Sequence, residues 1–407
     1  MYDLLKGLRV IEASSFVAAP SCGLYLMQMG AEVIRIDPIG GGPDFHRWPR
    51  APGGASLYWE GLNKGKKSIA LNLSQPEGRE LAAALVTAPG PNAGLLVTNY
   101  PLKSFLAHDR LAARRPDLIS VRVMGWSDGT NAVDYTVNAA VGLPQITGPA
   151  GLDGPVNHVL PAWDLLTGSQ AAFALLAAER LRRSSGRGQE IRLSLADVAI
   201  TTLGNLGQIA EVELGGVDRP RIGNYIYGTF GRDFVTADGK RVMVVAITAK
   251  QWSSLVVSLD LGAAVADLET ELRVSFEEEG ARYVHRERLA SLVAAKAGSL
   301  NLRHLAEAFD RSGVCWSQYR TLSEALSDDQ RFSAQNPVLA DVHHPSQEHY
   351  RTPGSAATVL GETRRAPPCA PRLGEHTHEL LAAILGIPEA EIHQLQEQGI
   401  VATHLDD

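Results

Sequence analysis

Residues 7–42 read GLRVIEASSFVAAPSCGLYLMQMGAEVIRIDPIGGG, and this stretch decides the fold. Leu8 to Ala13 (LRVIEA) is short, apolar and β-branched, as a buried strand requires. Pro20 to Met29 suits a short helix, with proline near its start and Gly30 closing it. Glu32 to Asp37 (EVIRID) is the next strand, and Gly40, Gly41 and Gly42 break the chain into a loop. Strand, helix and strand in this span make a βαβ unit of roughly Rossmann type. No G-x-G-x-x-G accompanies it, so no nicotinamide or flavin site is inferred.

Outward from this unit the alternation continues. A helix over Glu77 to Val86 and strands over Leu95 to Asn99 and Leu118 to Met124 imply a mostly parallel sheet, hence an α/β fold. From Leu165 to Leu181 the chain reads LLTGSQAAFALLAAERL, with apolar positions on most of the circumference, which predicts a largely buried helix. A strand from Glu190 and a helix from Asp197 follow. The texture changes near Asp218, where DRPRIGNYIYGTFGRDF is rich in Gly, Arg and aromatics. A strand over Arg241 to Ile247, with helices around Gln251–Leu259, Arg288–Ala295 and Leu302–Ser312, predicts a smaller α+β domain. Gln335 to Arg372 reads as an irregular return crossing, before two short helices over His376 to Leu385 and Glu389 to Gln398. The expected division is therefore 1–217, 218–334 and 335–407.

The 407 residues, 45% hydrophobic and 20% charged, are enough for two domains with sizeable cores. No apolar run reaches membrane-spanning length, and the opening MYDLLKGLRVIEA lacks a signal peptide's design. Three widely spaced cysteines make neither a disulfide framework nor a metal knuckle. A cytoplasmic protein without membrane partners is expected, and a net charge of −7 argues against a general nucleic-acid binder.

The stretch with chemistry in it is LPAWDLLTG, residues 160–168. Asp164 stands three residues after Pro161, in the first turn of the expected long helix. Unpaired amides and the helix dipole at that position stabilise an anion, so Asp164 is expected to stay ionised near neutral pH. The small residues Gly168, Ser169, Ala171 and Ala172 leave room for something to approach it. Two readings are open from these residues alone, an N-cap and a nucleophile.

LPAWDLLTGSQAAFALLAAERLRRSSGRGQEIRLSLADVA resembles the segment of family III CoA transferases (the CaiB/BaiF type) that carries their catalytic aspartate. There an aspartate opens an alanine-rich helix, followed by an Arg (Arg183 here) and a Gly-Arg-Gly-Gln turn (Gly186 to Gln189). The opening βαβ unit, NKGKKSIALNLSQPEGRE, VTNYP, RIGN and PRLGEHT are similar to further blocks of that family, so the resemblance covers nearly the whole chain. It implies a Rossmann-like large domain built from both chain ends, a smaller α+β domain between them, and a homodimer whose protomers interlock. It also implies Asp164 as nucleophile, a CoA thioester as substrate, and no permanently bound cofactor or metal. Longer blocks (YTVNAAVGLPQITGP, VNHVLPAWD, GNYIYGTFGRDF) resemble a subgroup that shifts CoA between the two carboxylates of one mesaconate molecule.

For CoA the resemblance points to Val17, Ala18 and Ala19, Arg35, Lys64, Lys66 and Lys67, and Asn99 with Tyr100. Three lysines in four residues suit phosphates, although an exposed turn explains them equally well. Tyr100 either stacks on adenine or fills the core. For the substrate's free carboxylate the candidates are Arg47 and His46, then Arg221 and Arg232; arginines also make structural ion pairs. Asn157 and His158 precede the nucleophile closely and border the pocket or serve structure. The glycine-rich lid of some family members is not evident; Gly228 to Gly231, with Tyr225 and Tyr227, occupies roughly its region. Three rivals remain: an intermolecular CoA transferase, a non-catalytic acyl-CoA binder, and a 2-methylacyl-CoA racemase. The racemase needs a histidine beside an aspartate, where this chain has Val133-Asp134 with no histidine nearby in sequence.

Overall fold

Six parallel strands form the frame: β1 (Arg9–Ala13), β2 (Glu32–Pro38), β3 (Lys67–Leu71), β4 (Leu95–Thr98), β5 (Ile119–Met124) and β6 (Gln189–Ser194). They lie in the order β3-β2-β1-β4-β5-β6, that of doubly wound nucleotide-binding sheets. The register is fixed by apolar partners, Val10 opposite Val33 and Ile11 opposite both Ile34 and Leu96. The inner strands are buried on both faces, which is why they read as continuous apolar runs. A short strand from the far end of the chain, Val401–Ala402, pairs antiparallel with β3. The computed structural model describes residues 1–404. Within these no helix is long and apolar enough to cross a membrane.

Two compact units divide the chain. The larger takes residues 1–141, 158–215 and 330 onward; the smaller takes 142–157 and 216–329. Residues 142–157 therefore leave the large domain in which the sequence division had placed them. Hydrogen bonds draw them across, from Gly223 N to the Gly148 carbonyl and from Arg221 to the carbonyls of Gln145 and Leu152. In the smaller unit an antiparallel sheet of Phe230–Val235, Arg241–Ala246 and Cys315–Gln318 packs with helices around Phe230, Trp252, Phe276 and Phe309. The glycines of Gly228 to Gly231 lead into its first strand. The stretch 335–372, expected to be irregular, contains a hairpin of Leu339–His343 and His349–Pro353. Its strands alternate, with Val342 and Thr352 buried between exposed neighbours, but the turn is polar and the inward residues are few, so the pattern is faint in the sequence.

Two helices carry the large unit's functional edge. The first, Ala18–Gln28, is almost wholly buried, and the second is the long helix Ala162–Ser185. The long helix buries Trp163, Thr167, Gly168, Ala171, Ala172 and Leu175, but Phe173 is 75% exposed and Leu181 44% exposed. This corrects the expectation of burial around most of its circumference: one face packs inward, and the other stays open in the single chain. Gly168 leaves no space for a ligand either. At Gly168 a Cβ would stand 2.7 Å from the Ala18 carbonyl oxygen and 2.8 Å from Ser21 Cβ, because the first helix fills that space.

Gly168→Ala sets two effects against each other. Alanine favours the helix by about 1 kcal/mol, while forcing two packed backbones apart costs about 1–3 kcal/mol. The clash is with main chain and wins. We expect the variant to lose up to about 2 kcal/mol, seen as a lower urea midpoint at unchanged slope.

Candidate active site

The long helix starts badly on its own. Pro161 occupies its N-cap position and offers no side-chain acceptor, so the first amides need a partner from elsewhere. Asp134, the first residue of the helix Asp134–Ala140, supplies it. Its Oδ2 accepts from Trp163 N at 2.6 Å and from Asp164 N at 3.1 Å, and its Oδ1 lies 2.5 Å from His158 Nε2. The Trp163 indole N–H donates to Asn138 Oδ1 at 3.2 Å, tying the same two helices together. Thus Asp164 is not the cap of its helix; a buried carboxylate from another helix is.

This arrangement corrects the expected charge state. Asp164 was expected to stay anionic through the helix amides, but Asp134 has taken them. Burial, and then the Asp134 charge, push the Asp164 carboxyl up to about 7, with Arg47 opposing the rise. Among the described residues the Asp164 carboxylate accepts no hydrogen bond. The expectation that no histidine stands near Asp134 holds along the sequence and fails in space, since His158 meets it directly.

Arg47 is exposed and reaches back, its guanidinium 5.6 Å from the Phe16 ring and 5.3 Å from the Tyr58 ring. Tyr58 carries no signal in the sequence, yet its hydroxyl is buried with no partner among the described residues. Burial pushes this phenol up to about 12, with Arg47 opposing and Asp164 adding to the shift. Asp164, Asp134, His158, Arg47 and Tyr58 thus form one electrostatic group in the large unit. His46 is exposed beside Phe45 and lines a cavity of about 710 Å³ with Ser56, Trp59, Arg372 and His404. Arg221, Arg232 and Asn157 belong to the smaller unit. There Arg221 is engaged by backbone carbonyls, and Arg232 donates to the Tyr225 hydroxyl at 2.9 Å.

Val17, Ala18 and Ala19 open the first helix after β1, and Asn99 and Tyr100 follow β4. β1 and β4 are neighbours, so these residues flank the topological switch point where such sheets bind ligands. Asn99 bridges the gap, donating to the Ser15 carbonyl at 2.9 Å and accepting from Ser15 N at 3.3 Å. Tyr100 packs edge-on against Phe105, with centroids 5.5 Å apart.

The basic candidates separate. Arg35 is fully buried, bonded to Asp37 at 2.6 Å, Glu12 at 3.2 Å, Asn63 at 3.2 Å and both oxygens of Asp44 at 3.0 and 3.1 Å. Lys66 is also buried, on Glu12 at 2.8 Å, the Pro20 carbonyl and Asn63. Both are committed inside the protein and are corrected from phosphate ligands to core ion pairs. Lys67 is partly exposed and pairs with Glu379 at 2.7 Å and Glu32 at 3.1 Å. Lys64 is buried, donates to the Gly61 carbonyl at 2.6 Å, and has its pKa pulled down to about 8 by burial and by Lys66. Three clustered lysines therefore do not converge on one anion.

A parallel sheet of this order, flanked by helices, is a doubly wound α/β fold, and solved structures share it. A CAIB/BAIF family protein from Brucella suis superposes with a TM-score of 0.76 at 23% identity, over 94% of this chain and all of that one. Residues 5–377 match the model of CoA-transferase family III, and the chain belongs to that family of enzymes. It is 48% identical over 403 residues to the 2-methylfumaryl-CoA isomerase of Chloroflexus aurantiacus, covering 99% of this chain and 98% of the relative. It is 28% identical, over 98% of each chain, to the succinyl-CoA–D-citramalate CoA-transferase of the same organism.

The raised carboxyl of Asp164 has a thermodynamic consequence. An acid whose folded pKa is about 7 against an ordinary 3.8 holds its proton in the folded state while the unfolded state has lost it. Stability therefore falls as pH rises through that window, and the loss persists above it. Asp164→Asn removes the burden. We expect it to raise stability by about 1–3 kcal/mol at pH 8 and by nothing near pH 3, measured by urea unfolding at both.

Proposed function

We propose that this enzyme moves CoA from the C1 to the C4 carboxylate of mesaconate, converting 2-methylfumaryl-CoA to 3-methylfumaryl-CoA, with Asp164 as nucleophile. The observation that carries the reading is the 48% identity, end to end, to a 2-methylfumaryl-CoA isomerase, against 28% to a transferase that uses a second acid. The half-buried carboxylate at the head of the long helix, which accepts no hydrogen bond among the described residues, supports the assignment of Asp164.

In this mechanism an Asp164 oxygen attacks the C1 thioester carbonyl. The carbon–sulfur bond breaks and CoA leaves as thiolate, giving a mixed anhydride. The thiolate then attacks the Asp164 carbonyl carbon, breaking the anhydride and releasing the mesaconate carboxylate. The retained diacid presents its C4 carboxylate, and the same two displacements run in reverse. Every exchange trades a thioester and a carboxylate for the same pair, so none is strongly uphill. Arg47 is the cation placed to hold the free carboxylate, and the Tyr58 hydroxyl is a donor for the tetrahedral oxyanion. CoA lies along the carboxyl edge of the sheet from the switch point at Val17–Ala19 and Asn99, and no resident cofactor takes part.

The protomers form an interlocked homodimer in the cytoplasm. The apolar side chains this chain leaves uncovered on and beside the long helix, Val159, Leu160, Phe173 and Leu181, support a partner there. A racemase would need His158 as an independent base, whereas its Nε2 is engaged by Asp134.

The test supplies purified enzyme with 2-methylfumaryl-CoA and excess isotopically labelled free mesaconate. Unlabelled 3-methylfumaryl-CoA is expected, and label in the product would make this an intermolecular transferase. Asp164→Asn should lose more than about a thousandfold in kcat. The wild-type kcat should rise with unit slope up to about pH 7 and then level off, as deprotonation of Asp164 requires.

A further inference from the structure

We infer that Asp134 and His158 are positioning residues for the nucleophile: their carboxylate–imidazole pair occupies the first amides of the long helix, keeping the Asp164 carboxylate unbonded and facing the thioester. The inference rests on the reading of Asp164 given above and adds to it two residues that contact neither CoA nor the acid in that scheme.

The geometry makes the case. Asp164 is the third residue of its helix; Pro161 at the N-cap has no N–H to offer it, and the free amides within its reach are those of the first turn itself. A carboxylate that accepted from them would be stabilised as a spectator and turned away from substrate. Asp134 removes the opportunity by taking the amides of Trp163 and Asp164 through one oxygen. Its other oxygen is held by His158 at 2.5 Å, and the His158 ring rests edge-on against Tyr135 at 5.6 Å. Asp134 is itself fully buried, so its orientation is set by these contacts and not by solvent.

The placement of charge matters during the reaction as well. When Asp164 attacks, its negative charge leaves with the C–S electron pair as the CoA thiolate, and the acylated Asp164 is neutral. Repulsion from Asp134 is present before that step and relieved by it, so the pair favours the bond change over the resting carboxylate. The titratable groups around Asp164 are Asp134, His158, Arg47, Tyr58 and Tyr135. Of these Asp134 is the one whose charge opposes that of Asp164 most strongly.

The test uses the full-length enzyme turning over 2-methylfumaryl-CoA. Asp134→Asn keeps an oxygen for the two amides and discards the charge. We expect kcat to fall about 10- to 100-fold with KM within about threefold, and the acid limb of the kcat profile to move to lower pH. Asp134→Ala, which opens the amides to Asp164, should fall further. His158→Ala reaches the pair from the partly exposed side without touching the helix amides, and should lower kcat by about tenfold at similar KM. It decides the matter if the Asp134 variants do not fold. Wild-type kcat and pH profile in Asp134→Asn, or unchanged kcat in His158→Ala where only that variant folds, would overturn the inference. Inactive Asp164→Asn beside a normal Asp134→Asn removes this proposal alone, whereas active Asp164→Asn removes the nucleophile reading itself.

Discussion

The Arg35 guanidinium, sunk beneath the sheet edge, is the interaction on which the rest of the large unit depends. It joins Glu12 at the end of β1, Asp37 at the end of β2, Asp44 in the glycine loop and Asn63 before β3. Lys66 adds a second cation to Glu12. Burying so much charge is costly, and it is tolerated here because each group has an opposite partner or a hydrogen bond. Removing one member would leave its partners charged and dry, a loss of about 3–5 kcal/mol in comparable buried pairs. Asp44 carries the effect outward: its Oδ2 also accepts from Phe16 N, where φ is 70°. The turn between β1 and the first helix is thereby fixed to the loop that presents Arg47. Gly23 completes the frame, since a Cβ there would collide with the Glu12 carboxylate.

On that frame the Asp164 carboxylate is held in an environment that disfavours its charge. Burial and Asp134 act in one direction and Arg47 in the other, and the balance lies near neutrality. A nucleophile left fully solvated or capped would be plentiful and sluggish. One buried with no cation nearby would be protonated and inert. The opposing pair, one side chain from the helix at 134–140 and one from the loop after β2, sets an intermediate value, as the proposed attack on a thioester requires.

What could be read in the sequence follows range in the chain. The βαβ unit was legible because its apolar runs and its Pro and Gly punctuation are local, and the long helix with Asp164 in its first turn because a helix start announces itself within a few residues. The state of Asp164 was hidden, since the group that claims the helix amides lies thirty positions earlier. The lysine cluster misled for the same reason: charge density along the chain says nothing of Glu12, the carboxylate that engages Lys66 from 54 positions away. β3 begins inside that lysine run and was masked by it. The hairpin at 339–353 places its histidines and charges on one face and Ala340, Val342, Tyr350 and Thr352 on the other, a face too small and too mixed to stand out in the sequence.

The strand at Val401–Ala402 bears on how the molecule comes into being. Asn72, just past β3, donates to the carbonyl of Gly399, 327 positions further along. During synthesis β3 emerges well before Val401 and Ala402, the residues that pair with its outer edge. A bare parallel edge is a template for other strands, and contacts this distant form slowly. Pairing of this edge therefore waits on a contact between distant parts of the chain, and the sheet's outer strand is closed late in folding. Its vulnerable moment lies in assembly and not in the finished fold.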